Sequence, residues 1–223
     1  MTAEPSVGAT GVDGDDPLAV LMAAVAQDQF PAPDGGVTVV PPDRTTGLHA
    51  ALSFTGHAVI ATDRSLDEVL AMGADGLAGA HSPDVLRALA GPDGWIGVLD
   101  VVLVAHGTGR GAPCLVEVDH HDAHLRVGYA RDLRVEVRVL ADDHGLVTLG
   151  RGLGGRTELG FELTGADHGD GHGRRLLREA LDATDAGRPV FASCAPGNAR
   201  SLRALLAVGF RVVGGEVLLR PGN

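Results

Sequence analysis

The stretch ELGFELTGADHGDGHGRRLLREAL, residues 158–181, decides the fold. Polar and apolar residues alternate over 158–163, a period of two that is typical of a β-strand. From residue 174 onward, leucine and alanine recur at helical spacing and the arginines lie off their face. Three glycines, two histidines and an aspartate stand between these parts, at 168–173. A strand therefore leads through a glycine-rich turn into an amphipathic helix.

The residues of this turn leave two interpretations open. Free N–H groups at a helix start attract anions, and glycine lets a phosphate approach the backbone, so the turn is a candidate phosphate cradle. A solvated turn with helix-capping glycines explains the same residues equally well. A metal site at His168, Asp170 and His172 is disfavoured, because a loop with three glycines supplies little ligand rigidity. The signatures of a P-loop and of a dinucleotide-binding strand are absent.

A second strand-to-helix pattern follows in PVFASCAPGNARSLRALLAVGF, residues 189–210. Asn198 is a favourable N-cap, and Gly209 is placed to end the helix in a left-handed conformation. An apolar stripe is predicted between them at Leu202, Leu205 and Leu206. Alternating strands and helices in this third of the chain predict a mixed α/β architecture.

These two motifs, in this order and at this spacing, resemble the GNAT superfamily of N-acetyltransferases over roughly residues 125–223. The family's acetyl-CoA motif has two required glycines, which fall on Gly171 and Gly173. Its second motif, a strand, then Asn-x-x-Ser/Ala, then a helix ending in Gly-Phe, matches residues 189–210, with Asn198 and Ser201 at the Asn and Ser positions. The resemblance implies an α/β (α+β) fold: a mixed, mostly antiparallel central sheet flanked by helices, extended here by an N-terminal region.

The resemblance also implies a cofactor, acetyl-CoA or another acyl-CoA. It places the cofactor at Leu163, His168, Gly169, Asp170, Gly171, His172, Gly173, Arg174, Asn198 and Ser201. The backbone N–H near Leu163 would polarise the thioester carbonyl. Asn198 and Ser201 have an equally good structural explanation as a helix cap and a first-turn residue.

Three positions depart from the family pattern. His168 replaces the usual arginine or glutamine, a mild loss because the phosphate contacts are mainly backbone N–H groups. Leu205 stands where the family often has a tyrosine that protonates the leaving thiolate. A thiol has a pKa near 8.5, so the thiolate can leave without a strong acid. Asp170 adds an unfavourable negative charge beside the expected phosphates unless it points away.

Acyl transfer to an amine requires a base, because an alkylammonium has a pKa near 10. Alternation along 158–163 puts Glu158 and Glu162 on one face of the strand and the apolar residues on the other. We therefore expect Glu162 or Glu158 to act as base, with Glu162 nearer the cofactor loop. Pairing of Glu158 with an arginine, such as Arg156 or Arg151, is the structural alternative.

The predicted function is an acyl-CoA-dependent N-acyltransferase that moves acetyl to an amine by direct attack. The missing tyrosine motivates the alternative, a non-catalytic acyl-CoA-binding or regulatory module on the same fold. The acceptor, a small-molecule or peptide amine, is not identified by the sequence. A net charge of −11 excludes a general nucleic-acid binder and mildly favours a cationic acceptor.

Composition favours a cytoplasmic, bacterial protein without a membrane segment. No apolar run reaches the length of a membrane span, and Cys114 and Cys194 follow no metal-ligand spacing. A chain without lysine that is rich in Ala, Gly, Arg and Val is typical of GC-rich bacterial genomes. Exposed terminal strands would favour a homodimer.

The chain is predicted to divide into three parts. These are a disordered leader (1–16), an N-terminal α/β region that completes the acceptor cleft (17–110) and the acyl-CoA-binding core (111–223). Further elements are expected as a helix at 17–30, short helices near 65–73 and 82–91, an apolar strand at 100–105, a solvated loop at 119–124 and a terminal hairpin.

Overall fold

Strands from both halves of the chain join in one mixed sheet in the computed structural model, which describes residues 15–118, 124–164 and 170–222. The strands are β1 Val37–Val40, β2 His49–Phe54, β3 His57–Ala61, β4 Trp95–Ile96, β5 Asp100–His106, β6 Val116–Glu117, β7 Val135–Asp142, β8 Gly145–Arg151, β9 Thr157–Leu163, β10 Pro189–Cys194 and β11 Arg211–Arg220. Their order is β1-β3-β2-β11-β5-β10-β9-β8-β7-β6, with β4 paired to β11.

The predicted fold class is confirmed. Within the described residues, β1 pairs with β3 and β9 with β10 in parallel, and all other pairings are antiparallel. The flanking helices are α1 Pro17–Ala26, α2 Leu66–Ala71, α3 Pro83–Ala90, α4 Leu125–Leu133, α5 His172–Asp182 and α6 Ala199–Ala207. None of these helices has the length and apolar character needed to span a bilayer.

Local sequence signals account for several of these helices. Asp16 accepts a hydrogen bond from the N–H of Leu18 and caps α1, which ends at Ala26, before the predicted end at residue 30. Ser65 and Glu68 form a capping box at the start of α2. The predicted apolar face of α5 is buried, at Leu176, Leu177, Ala180 and Leu181. In α6 Leu205 is buried, whereas Leu206, expected in the same stripe, is exposed.

The predicted terminal hairpin is wrong, because residues 211–220 form the single strand β11. Its two central glycines lie against β2 instead of forming a turn. A Cβ on Gly214 would come within 2.5 Å of the carbonyl oxygen of Ser53. A bulge between Val212 and Gly214 adjusts the pairing of β11 with β5.

Helix α4 was not anticipated from the sequence. His124, the last residue of the expected loop, caps it by accepting a hydrogen bond from the N–H of Arg126 at 3.2 Å. The rest of that loop, 119–123, lies outside the described residues, as do 1–14 of the expected leader. Helix α4 buries Val127 and Ala130, and it brings Arg126 and the C-cap residue Arg134 to the acids of β9.

The sheet continues across residue 110, the boundary expected between the N-terminal region and the core. Strand β5 precedes that boundary, yet it lies between β10 and β11, which follow it. Both halves therefore build the centre of the sheet. The functional division of the chain at this residue stays a prediction.

Candidate active site

Strands β9 and β10 separate part of the way along their length. Their parallel pairing includes Val190–Thr157, Phe191–Glu158 and Ala192–Leu159 and stops there. Strand β10 continues beside β5 as far as the pair Cys194–Val101, while β9 continues beside β8 as far as Leu163. A gap therefore opens between the carboxyl ends of two neighbouring strands.

The backbone of β9 presents hydrogen-bond donors to this gap. In an antiparallel pair, opposed residues alternate between exchanging both hydrogen bonds and pointing their groups away. The N–H of Thr164 donates to the carbonyl of His144 at 2.8 Å, which makes Leu163–Gly145 a pair of the second kind. The N–H groups of Leu163 and Phe161 hence point away from β8, toward the side that β10 has left.

A cleft of about 460 Å³ occupies the gap and extends under α4. Residues of β5, β9, β10 and β11 and of helices α4 and α6 line it. Predicted site residues that line it are Glu158, Glu162, Asn198 and Ser201. Residues singled out only by the structure include Val98, Asp100, Leu125, Arg126, Tyr129, Ser193, Cys194 and Glu216.

The start of α5 has the features of an anion site. Gly171 adopts a left-handed conformation, with φ of 85°, and the helix has no side-chain cap among the described residues. The first bond within the helix joins the N–H of Arg175 to the carbonyl of Gly171, so the preceding N–H groups, at 172–174, have no helical acceptor. Arg174 is exposed beside them, and so is Asp170.

Of the other residues of the predicted phosphate turn, the structure describes two, His172 and Gly173. His172 stacks on His144, with ring centroids 3.8 Å apart. A Cβ on Gly173 would make only ordinary contacts, 3.5 Å from Cδ1 of Leu163. His168 and Gly169 lie outside the described residues. Within the described part of the chain, no three His, Cys, Asp or Glu side chains are grouped to hold a metal.

Glu158 pairs with arginine, which is the structural alternative that the sequence left open. Its carboxylate accepts hydrogen bonds from Nε of Arg156 at 2.8 Å and from Nε of Arg134 at 2.6 Å. Burial alone would raise the pKa of this carboxyl, but the two arginines outweigh it and hold the pKa at about 2. Such a carboxylate keeps its charge at neutral pH and is a poor proton acceptor.

Glu162 is placed differently from Glu158. Its side chain is 47% exposed, and Oε2 lies 3.5 Å from Nε of Arg126 on α4, too poorly aligned for a hydrogen bond. It faces the cleft from the β9 side, as the strand alternation predicts. The apolar residues of the opposite face, including Leu159 and Phe161, pack with α5, also as predicted.

The second motif contributes a helix cap and an apolar wall. Oδ1 of Asn198 accepts a hydrogen bond from the N–H of Ser201 at 3.1 Å, which confirms the predicted cap of α6. Leu205 is only 1% exposed and lines the back of the cleft, where the resemblance would place a tyrosine. The one tyrosine of the chain, Tyr129, faces the cleft from α4 on the other side.

Asp100 is the main residue of the cleft that sequence reasoning missed. It is the first residue of β5, the strand that we predicted from its apolar residues alone. An acidic residue at the start of an apolar strand was the signal that could have identified it. Burial, followed by the nearby negative charge of Glu216, raises its pKa to about 6. Burial, followed by the charge of Asp100, also raises the pKa values of Tyr129 and Cys194, so both keep their protons at neutral pH.

Comparisons with known proteins give matches in structure only. No protein-family model and no curated protein matches the chain. Among solved structures, a protein from Novosphingobium aromaticivorans assigned to the GNAT family is 16% identical, with a TM-score of 0.38, over 59% of this chain and 69% of its own. An acetyltransferase of the GNAT family from Colwellia psychrerythraea is 10% identical, with a TM-score of 0.36, over 57% of each chain.

A third similar structure is a GCN5-related N-acetyltransferase from Kribbella flavida, 13% identical, with a TM-score of 0.37, over 62% of this chain and 63% of its own. These neighbours carry the name of the family that the two sequence motifs resemble.

Proposed function

We propose that this protein transfers an acyl group, most simply acetyl, from an acyl-CoA to an amine by direct attack. The observation that carries the proposal is the gap between β9 and β10, which exposes the N–H groups of Phe161 and Leu163 beside a cleft. A chain with unpaired backbone donors can pair with an extended, amide-containing molecule such as a pantetheine arm. The two sequence motifs lie on the elements that form this gap.

The residues present fit a CoA molecule. Backbone N–H groups at 172–174 and the exposed guanidinium of Arg174 suit a pyrophosphate, and they stand at the same end of β9 as the gap. Asp170 is exposed at this site and adds an unfavourable charge. Asn198 and Ser201 border the cleft on α6. When bound, the cofactor supplies a thioester whose carbonyl carbon accepts the amine.

Three tasks fall to the chain itself. The N–H of Leu163, which points into the gap, would polarise the acyl carbonyl, because a fixed donor stabilises developing negative charge. A carboxylate in the cleft accepts the proton of the ammonium. Glu162 is the candidate that the sequence predicts for this step, whereas Glu158 is held ionised by Arg134 and Arg156 and serves to position β9.

The acceptor in this proposal is a small-molecule or peptide amine. The role of residues 17–110 in completing the acceptor cleft is supported by Val98 and Asp100, which line it from the N-terminal side. The negative net charge fits a cationic acceptor and disfavours nucleic acid. A cytoplasmic, bacterial protein remains part of the proposal, and its free thiols, at Cys114 and Cys194, suit a reducing compartment. The homodimer loses its argument from exposed terminal strands, because β11 lies between β2 and β5 inside the sheet.

The alternative is a non-catalytic acyl-CoA-binding module. Leu205 favours it, since a buried leucine at the expected position of a proton donor cannot protonate a leaving thiolate. Two measurements on the full chain separate the proposals. Calorimetry measures the binding of acetyl-CoA and of CoA, and a thiol reagent follows CoA release with a panel of amines.

We expect micromolar binding and amine-dependent thiol release. Binding without release from any amine would favour the binding module. No binding of either ligand would overturn both proposals.

A further inference from the structure

Asp100 lies where the acceptor would meet the gap between β9 and β10. It begins β5, which runs between β10 and β11, and its partner in register is Glu216 on β11. The next residue, Val101, pairs with Cys194 at the end of β10. The carboxylate therefore stands at the mouth of the gap, next to the last residue of the strand that diverges from β9.

The Asp100 carboxylate differs from the other three acids of the cleft in having no partner. Glu158 and Glu216 are bound by buried arginines, and Glu162 is paired with Arg126. The Asp100 side chain makes no hydrogen bond or ion pair with any residue of 15–118, 124–164 or 170–222, although it is partly buried. A half-buried carboxylate without a donor is unfavourable unless a ligand supplies one.

The charged groups around Asp100 favour a cation. Glu216 on β11 and Glu158 on β9 are negative, and Arg126 on α4 is positive. Tyr129 on α4 and Cys194 on β10 complete the titratable surroundings, and both stay neutral at pH 7. Arg134 and Arg156 neutralise Glu158, and Arg156 also neutralises Glu216. Asp100, when it is ionised, is therefore the acid that a cationic ligand can neutralise.

Apolar side chains surround the entrance to this carboxylate. Val98 is 63% exposed, Leu125 is 89% exposed and Tyr129 is 42% exposed, and all three line the same cleft. Large apolar residues grouped at the edge of a cleft mark a surface that a ligand covers. The cleft thus combines one carboxylate with an apolar rim.

We infer that Asp100 binds the ammonium group of the acceptor and takes its proton, and that the acceptor is a primary amine on an apolar, mono-cationic body. This inference rests on the proposed acyl transfer. In the step, one N–H bond of the ammonium breaks and an O–H bond forms on Asp100. The electron pair stays on nitrogen, where it becomes the nucleophile, and Asp100 later returns the proton to water.

Glu162 fits this task less well than Asp100. Its carboxylate is already paired with Arg126 and is half exposed, so a ligand ammonium would have to compete with both an arginine and water. Burial, followed by the charge of Glu216, raises the pKa of Asp100 to about 6, close to the neutral pH at which a general base has to work.

The first test measures ligand binding and needs no turnover. Calorimetry compares 2-phenylethylamine with 2-phenylethanol, a neutral molecule of nearly the same shape, on the wild type, Asp100→Asn and Glu162→Gln. We expect Asp100→Asn to weaken binding of the amine about tenfold or more and to leave the alcohol unchanged, because a charge-assisted contact is lost. Asp93→Asn, on an exposed turn outside the cleft, is the control and should change neither by more than about twofold, whereas Glu162→Gln measures any contribution of Glu162.

The second test measures activity with thiol release. We expect Asp100→Asn to lower kcat/KM about 100-fold or more, and spermidine to be a poorer acceptor than 2-phenylethylamine. Asp93→Asn makes the same change on an exposed turn outside the cleft and should retain wild-type activity. Thermal unfolding of each variant separates a lost contact from a lost fold.

The outcomes distinguish this inference from the proposed function. If the wild type releases CoA with amines but Asp100→Asn binds and acetylates 2-phenylethylamine as well as the wild type does, the assignment of Asp100 is wrong and the acyltransferase stands. Equal loss in Glu162→Gln and none in Asp100→Asn would assign the base to Glu162. If the wild type binds no CoA, the proposed function fails, and the amine-against-alcohol comparison still decides whether Asp100 binds an ammonium.

Discussion

Arg156 donates two hydrogen bonds from Nη2 to the carboxylate of Glu216, at 2.8 and 2.7 Å, beneath the floor of the cleft. Both side chains are buried, and Nε of the same guanidinium reaches Glu158. Ser193 adds a hydrogen bond to Glu216 at 2.5 Å. This buried network joins β9, β10 and β11 and fixes the strands that open the gap.

We expect Arg156→Met to destabilise the fold by about 3–5 kcal/mol, because two buried carboxylates lose their shared cation. Arg138→Met is the matched control: its salt bridge with Glu117 is about half exposed, and its loss should cost at most about 1 kcal/mol. Urea unfolding at pH 7 measures both. Equal effects of the two substitutions would show that the buried network contributes no special stability.

Two acids of the cleft should give opposite dependences of stability on pH. The pKa of Glu158 in the folded protein, about 2, is below its ordinary value of 4.5, so the stabilisation it provides is present above pH 4.5 and is lost as pH falls through 2. Asp100 has a pKa of about 6 in the folded protein, above its ordinary value of 3.8. The contribution of Asp100 to the stability of the fold is therefore complete below pH 3.8 and is lost as pH rises through 6.

Asp100→Asn should consequently raise Tm at pH 8 and leave it nearly unchanged at pH 4. The physical reason is that asparagine removes a half-buried charge that is ionised only at the higher pH. Asp93→Asn, on an exposed turn, should show no such dependence on pH. Calorimetric unfolding scans at several pH values provide the measurement. A Tm difference independent of pH would contradict the raised pKa of Asp100.

Local patterns predicted the part of the site that one continuous stretch of chain forms. Alternation placed Glu158 and Glu162 on one face of β9, and helical spacing identified the buried face of α5. Both patterns depend on neighbours a few residues apart, which a sequence displays directly. The cap at Asn198 was predictable for the same reason.

The rest of the cleft depends on long-range strand pairing, which could not be predicted from the sequence. Asp100 reaches the site because β5 inserts between β10 and β11, and no local signal encodes a partner about 90 residues away. Helix α4 was obscured by Gly128 in its middle, a residue that lowers helix propensity. The glycines 214–215 resembled a turn, whereas their lack of a side chain serves close packing against β2.

Gly173→Ala should separate the stability of α5 from its role in cofactor binding. A methyl group at this helical position meets Leu163 at an ordinary contact distance, so we expect stability equal to the wild type or up to about 1 kcal/mol higher. The same methyl narrows the space between α5 and the end of β9 that we assign to the cofactor. CoA affinity should therefore fall at least tenfold, as measured by calorimetry.

Gly128→Ala provides the control for this substitution. Gly128 lies in helix α4 with open space around its Cβ position, so alanine should give a similar gain in stability with unchanged CoA affinity. Wild-type affinity in Gly173→Ala would place the cofactor away from this turn. Loss of CoA affinity in both variants would show that replacing a helical glycine lowers the affinity even away from the predicted cofactor site.

Asn198 offers a way to separate a helix cap from a cofactor contact. Asn198→Ala removes the acceptor for the N–H of Ser201 and should destabilise the fold by about 1 kcal/mol. Asn198→Asp keeps that acceptor, so urea unfolding should show nearly wild-type stability. If the side chain also contacts the cofactor from α6, CoA affinity should fall several-fold in both variants. Wild-type affinity in the stable aspartate variant would restrict Asn198 to capping α6.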